Sequence, residues 1–421
     1  MKKFEMFNHI IENTSNLINQ YEFLCRARTK AKYFSREGKI GFVNLISFML
    51  NLVKKNLQKE LDDYFKLIKS DKNRITKQAF SEARKKLSYQ SFKELYDLTT
   101  KTANDGDDMI FFKGYRVSAI DGTSIAVENS SELLEYFGSS GASGKTATAR
   151  ASALYDVNND VLMDVQLEKY SCGERELAYR HIEALKVLGL RKDLIIFDRG
   201  YISNELISKL IENGIHFLMR VRHKFNLEID KISAPDSFVK IAHNENCCKL
   251  RVIKFELPSG EMETLITDLP QNEFEHSEFK ELYFKRWPIE SKYDVVKNKL
   301  QLENFTGKTV LSVYQDFYAS MYLANVAAFA KYITDENIAT IDDGKNLKYE
   351  YQTNTNMLIG KLKNNLVLAM LEDNHRKRKK MINKILIEIS QNKVPIRKNR
   401  QVERKVTTRK RRFHCNQKSA L

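Results

Sequence analysis

Cysteine is scarce in this 421-residue chain. Its five copies (Cys25, Cys172, Cys247, Cys248, Cys415) are odd in number and follow no framework spacing. That excludes a disulfide-stapled secreted scaffold and predicts reduced thiols in a reducing compartment. The group His243, Cys247 and Cys248 lacks a second pair at finger spacing, so it reads as an ordinary strand or turn rather than a zinc site. Long apolar runs are lacking as well. The longest, Ile40 to Val53, has 14 residues and contains Gly41, Asn44, Ser47 and Asn51, short of the roughly 20 that span a bilayer. It reads as a buried helix, and no membrane partner is expected. The opening Met1-Lys2-Lys3-Phe4 is not followed by an apolar core and small residues, so a secretory signal is not expected and the cytoplasm is the expected location. Glycine and proline are absent between Gly41 and Gly106. Apolar residues recur there at three and four, which predicts an all-helical segment over residues 1–105.

Positive charge is abundant. A formal net charge of +16, with 10% aromatic residues, points to a polyanionic partner and suits nucleic acid better than a small acidic metabolite. Residues 393–412 carry ten lysines and arginines against Glu403 alone, and Arg376 to Lys380 are all basic. These segments read as contacts for a phosphate backbone or as a solvated tail. In the helical segment, Thr76 caps a helix reaching Leu87, and Ser91-Phe-Lys-Glu94 reads as a capping box opening the next. Two short basic helices in series suit DNA docking as well as plain packing.

The texture changes at Arg116. Val117-Ser-Ala-Ile120 predicts a buried strand ending at Asp121, with strands following at about 150–156 and 160–168. Glu174 to Leu188 has helical period. Asp193 to Phe197 predicts a second strand ending at an acid, Asp198; a helix at about 202–212 and the strand Ile215 to Arg222 complete a mixed α/β sheet of about five strands. Residues 224–270 alternate polar and apolar and read as a β-rich insert. Helices return from about 275. The divisions expected are a helical, DNA-binding 1–105, a catalytic 106–335 and a helical, basic 336–421.

The chemistry concentrates in Tyr283-Phe-Lys-Arg286-Trp287-Pro288-Ile-Glu290, continuing to Lys297. On an ideal helix all four spaced groups Tyr283, Arg286, Glu290 and Lys297 would share one face. Pro288 instead predicts a helix starting there, with Tyr283 and Arg286 on the turn before it and Glu290 aligned with Lys297. Trp287, the one tryptophan, reads as a core anchor beside Pro288. Asp121 and Asp198 at strand ends, with Glu290 on a helix, can converge on one sheet edge. Carboxylates so gathered call for divalent cations, and magnesium takes oxygen ligands. Two ions would suit in-line phosphoryl displacement. Ser139 to Thr146 nearly spells a P-loop, but it leads into a strand, not a helix.

These motifs, Ile120-Asp121-Gly122-Thr123, Phe197-Asp198-Arg199-Gly200-Tyr201 and the complete Tyr283, Arg286, Glu290, Lys297 signature, resemble those of the DDE transposases of bacterial insertion sequences, in the "IS-four" family. The 92-residue separation of Asp198 and Glu290, filled by the β-rich insert, fits the resemblance. It implies an RNase H-like fold: a mixed sheet flanked by helices, with the β-rich insertion before the last catalytic helix. It also implies DNA cleavage at transposon ends and strand transfer into target DNA, with Asp121, Asp198 and Glu290 holding two Mg²⁺ or Mn²⁺ ions. Tyr283, Arg286 and Lys297 would hold DNA phosphates. Arg199 would contact DNA or balance the acids, and Arg220 and Arg222, on alternate positions of one strand, would line the DNA channel or form a surface pair. The implied partners are terminal inverted repeats and target DNA, bound by a homodimer in a synaptic complex that is nucleoid-associated when on DNA. A nuclease that cuts without joining and a catalytically silent transposase-derived DNA-binding protein are the alternatives.

Overall fold

A computed structural model describes residues 3–36, 38–69, 75–140, 146–243, 246–257 and 259–397. Most of the basic segment 393–412 therefore lies outside the described residues, as does the centre of the P-loop-like stretch. The chain divides into two compact units, 1–108 with 126–148 and 294–421, and 109–125 with 149–293.

The first unit is helical. Among the described residues six helices lie between Lys3 and Asp105, where glycine and proline are sparse. Asn56 and Thr76 cap two of them by accepting main-chain N–H bonds. The Ser91 capping box is not formed: the helix Gln90–Asp105 starts one residue earlier, and Ser91 Oγ donates instead to Ser88 O at 2.7 Å. The apolar run 40–53 yields a helix of only eight residues, Phe42–Met49, and Leu52 beyond it adopts a positive φ. The centre of the unit is the 33-residue helix Val310–Asp342, buried on all sides for most of its length, as its lack of a polar face requires. No helix among the described residues is long and apolar enough to cross a membrane.

The second unit is built on one eight-stranded sheet: β1 Arg116–Ala126, β2 Thr148–Asp156, β3 Val161–Lys169, β4 Asp193–Phe197, β5 His216–Arg220, β6 Asp236–His243, β7 Asn246–Glu256 and β8 Met262–Thr267, in the order β3-β2-β1-β4-β5-β8-β7-β6. The pairs β1–β4 and β4–β5 are parallel, and β5–β8, β8–β7 and β7–β6 antiparallel. The sheet is thus wider than the five strands expected. The β-rich insert adds its three strands to the same sheet through β8, because the β5 edge offers unpaired backbone groups that an antiparallel strand satisfies. The helix Glu174–Leu188 packs on β3, and Asn204–Glu212 packs on β5 and β6. Val117, Leu194 and Ile196 join Phe279, Leu282 and Tyr283 in one core cluster, so the helix Glu278–Phe284 covers that face of the sheet.

Candidate active site

The sheet register brings the two aspartates together. β1 pairs with β4 up to Ala119↔Ile196, and continuing by two residues sets Asp121 level with Asp198 on adjacent parallel strands, which lie about 4.8 Å apart. Both share parity with the core residues Val117 and Ile196, so both face the helix that carries Tyr283. Asp121 does not end its strand as expected: β1 runs on to Ala126, with β2 as its remaining neighbour. The pairing with β4 is what stops, and this opens the edge beside the carboxylates.

The segment from Tyr283 folds over that edge. Tyr283 lies within the helix Glu278–Phe284 rather than on the turn expected for it, Arg286 lies on the following turn, and a new helix, Pro288–Asp294, begins at the proline as predicted. Tyr283 Oη donates to Asp198 Oδ1 at 3.3 Å; burial, then the Asp198 charge, raises its pKa and holds the hydroxyl protonated. The Arg286 guanidinium, 8% exposed, stands between Asp121 (Nη1 to Oδ2, 3.5 Å) and Glu290 (Nη2 to Oε1, 3.4 Å). Its Nε is buried without a hydrogen-bond partner. Burial alone would lower its pKa, but the surrounding Tyr283, Asp121, Asp198 and Glu290 raise it. The Asp121 carboxyl is pushed up to about 6, by burial first and also by Glu174 and Glu290, with Arg286 and the Gly122 N–H (2.9 Å) opposing.

Beyond Asp294 the helix widens into a π-helical turn, Val295–Lys299, so the 100° step per residue on which the alignment of Lys297 with Glu290 was expected ends at Asp294. One expectation fails here. Trp287 is no core anchor; it is 52% exposed, because the turn at 285–287 directs it away from the packed faces of both adjoining helices.

Sequence reasoning missed a fourth acid. Glu174, in the first turn of its helix, accepts from Arg150 Nη1 at 2.7 Å. Its carboxylate lies so close to Gly122 that a Cβ there would sit 3.2 Å from Oε1, and it also approaches Gly200, with 3.9 Å from a Cβ to Oε2. The glycines that follow the two aspartates therefore leave room for a third carboxylate. In sequence, Glu174 is indistinguishable from any acid favoured by a helix N-terminus. The buried Tyr201 hydroxyl finds no hydrogen-bond partner, and its pKa is raised by burial and then by Asp121 and Glu174.

The model of the transposase DDE domain matches residues 112–326, just over half of the chain. The chain belongs to the DDE transposase family. A transposase function follows from that membership. A cryo-EM structure of the piggyBac transposase synaptic complex with hairpin DNA is similar to this transposase at 13% identity and a TM-score of 0.47, over 96% of this chain and 87% of that one. No curated protein matches.

Of the remaining basic residues, Arg199 is exposed on the turn after Asp198. Arg220 is committed to Glu263 (Nε to Oε1, 2.7 Å). Arg222 lies past the end of β5, so the two do not share a strand face. Family members generally use divalent cations. Among the described residues no three His, Cys, Asp or Glu side chains gather closely enough to hold one, since Arg286 separates Asp121 from Glu290. The donor set nevertheless fits a hard cation, because it is all carboxylate oxygen. The zinc possibility at His243 and Cys247 falls on side chains outside the described residues.

Proposed function

We propose that this transposase cleaves DNA at the ends of a mobile element and joins the freed 3′-hydroxyl to target DNA, on an RNase H-like sheet formed by β3-β2-β1-β4-β5. The observation that carries this reading is the Arg286 guanidinium lying between Asp121 and Glu290 while Tyr283 donates to Asp198. Tyr283, Arg286 and the three acids are thereby read as one constellation. Asp121, Asp198 and Glu290 are the residues that would hold Mg²⁺ or Mn²⁺, two ions being expected. When bound, these supply Lewis-acid activation of the attacking oxygen and charge stabilisation of the leaving one.

The protein's own groups do the positioning. Arg286 presents a fork of donors that suits a phosphate as well as a carboxylate. An incoming DNA phosphate would compete for its Nη atoms and take up the unpaired Nε. Tyr283, protonated and part of the core, offers a rigid donor beside Asp198. Lys297 and Arg199 would add charge along the backbone, as would the exposed Arg222, while Arg220, tied to Glu263, contributes mainly by orienting that strand end. The helical 1–105 and the basic C-terminal segments are assigned to terminal-repeat and target contacts, in a homodimer that pairs two ends. A nuclease that cuts without joining is the second reading, since the same acids serve hydrolysis and transesterification.

The test is Glu290→Ala. Divalent-cation-dependent cleavage of end DNA should fall by more than about a thousandfold, with end binding, measured by gel shift, retained. Undiminished cleavage removes the reading.

A further inference from the structure

The main-chain carbonyl of Asp121 is a junction of several elements. Tyr293 Oη donates to it at 2.6 Å, and the same phenol oxygen takes a hydrogen bond from the Ala153 amide on the neighbouring strand β2. Ser152 Oγ also reaches this carbonyl, at 3.2 Å. Ser152 is backed by buried His181 (Nε2 to Oγ, 2.9 Å), whose Nδ1 lies 2.7 Å from Asp164 Oδ2. This Ser-His-Asp row has the geometry of a nucleophilic triad, but all three residues are buried and the serine proton is directed at a backbone carbonyl, so it serves as a brace.

Tyr293 lies three residues after Glu290 on the helix Pro288–Asp294, and residues so spaced share a helix side. The helix is pinned a second time by Lys292, which is buried and donates to Asp160 O (2.8 Å) and Oδ1 (3.0 Å). We propose that Tyr293 is a positioning residue: its hydroxyl ties the helix that carries Glu290 to the backbone of Asp121 and so sets the spacing of the first and third acids. A site of separate carboxylates needs such a tie, because errors of about 1 Å in the placement of reacting groups cost on the order of a hundredfold in rate. The inference rests on the proposed cleavage function and extends it.

The test removes one atom. In full-length Tyr293→Phe, the half-saturating Mn²⁺ concentration, read by electron paramagnetic resonance of free Mn²⁺ without DNA, should rise at least about fivefold. Single-turnover cleavage at saturating DNA should fall about 10- to 100-fold, with end-DNA affinity within about twofold of the unsubstituted protein. A variant with Mn²⁺ half-saturation and cleavage unchanged, while Glu290→Ala abolishes cleavage, overturns the inference and leaves the function standing. Cleavage by Glu290→Ala overturns both. Ser152→Ala, which deletes the longer bond to the same carbonyl, should shift Mn²⁺ half-saturation in the same direction by about two- to threefold. Should Tyr293→Phe not fold, an unchanged value for Ser152→Ala is the overturning result.

Discussion

Two buried arginines, Arg84 and Arg286, lie beside carboxylates and are used in opposite ways. In the helical unit every guanidinium nitrogen of Arg84 donates: Nε to Gln315 Oε1 at 2.9 Å, Nη1 to Thr306 Oγ1 at 2.6 Å, and Nη2 to Asp316 Oδ1 at 2.8 Å and Ser312 O at 3.2 Å. In the sheet unit Arg286 makes only contacts of 3.4–3.5 Å and leaves Nε without a partner. The acids respond in kind. Burial would raise the Asp316 carboxyl, yet Arg84, Lys54 and the Thr306 donors bring it below its ordinary value. Asp121, less deeply enclosed, is pushed up to about 6. Between these two acids, the nearby cations and donors outweigh depth of burial. The network around Arg84 is closed, whereas the one around Arg286 leaves a buried donor unpaired, as the proposed phosphate contact would require.

The sharpest way to break this contrast is to remove each guanidinium. Arg84→Met should cost about 3–5 kcal/mol, since it leaves Asp316 buried without its counterion, and urea unfolding would show it. Arg286→Met should cost clearly less than Arg84→Met, since its contacts are longer and its partners Asp121 and Glu290 are more exposed than Asp316, while abolishing cleavage. Equal losses of stability would erase the distinction.

Next in size is Asp121→Asn. A carboxyl raised from 3.8 to about 6 on folding contributes stability that is complete below pH 3.8 and is lost as pH rises through 6. The asparagine has no such loss. In chelator, the stability of Asp121→Asn relative to the unsubstituted protein should therefore improve by at most about 3 kcal/mol between pH 4 and pH 8. A difference that stays flat with pH would mean the acid is fully compensated. The smallest effect belongs to Tyr283→Phe, which deletes one long hydrogen bond. Stability should change by less than about 1 kcal/mol, and cleavage should fall by less than about tenfold. A larger fall would give the hydroxyl a part in the chemistry beyond orienting Asp198.

What sequence could show was set by local chemistry. Asp121 and Asp198 stood out because each follows an apolar run, and Pro288 marked a helix start because its ring fits the first turn and its missing N–H costs nothing there. The helical texture of 1–105 was legible from the spacing of apolar residues. The expected five strands became eight because joining a sheet edge depends on which backbone groups are left unpaired, and no pattern within 224–270 reveals that. Arg220 looked free for DNA until β8 brought Glu263 beside it, and Trp287 looked buried until the turn carried it outward.

By itself, then, the sequence determined the apolar runs that lead into Asp121 and Asp198, the helix start at Pro288 and the alternation of helices and strands, since each depends on residues within a turn or a strand of one another. Tertiary structure alone decided that Glu174 fills the space beside Gly122 and Gly200, that Arg286 stands among the acids with an unpaired nitrogen, and that Tyr293 grips the Asp121 backbone. Glu174 lies 52 positions from Gly122, and Tyr293 lies 172 from Asp121, and only strand register and helix packing bring such residues together.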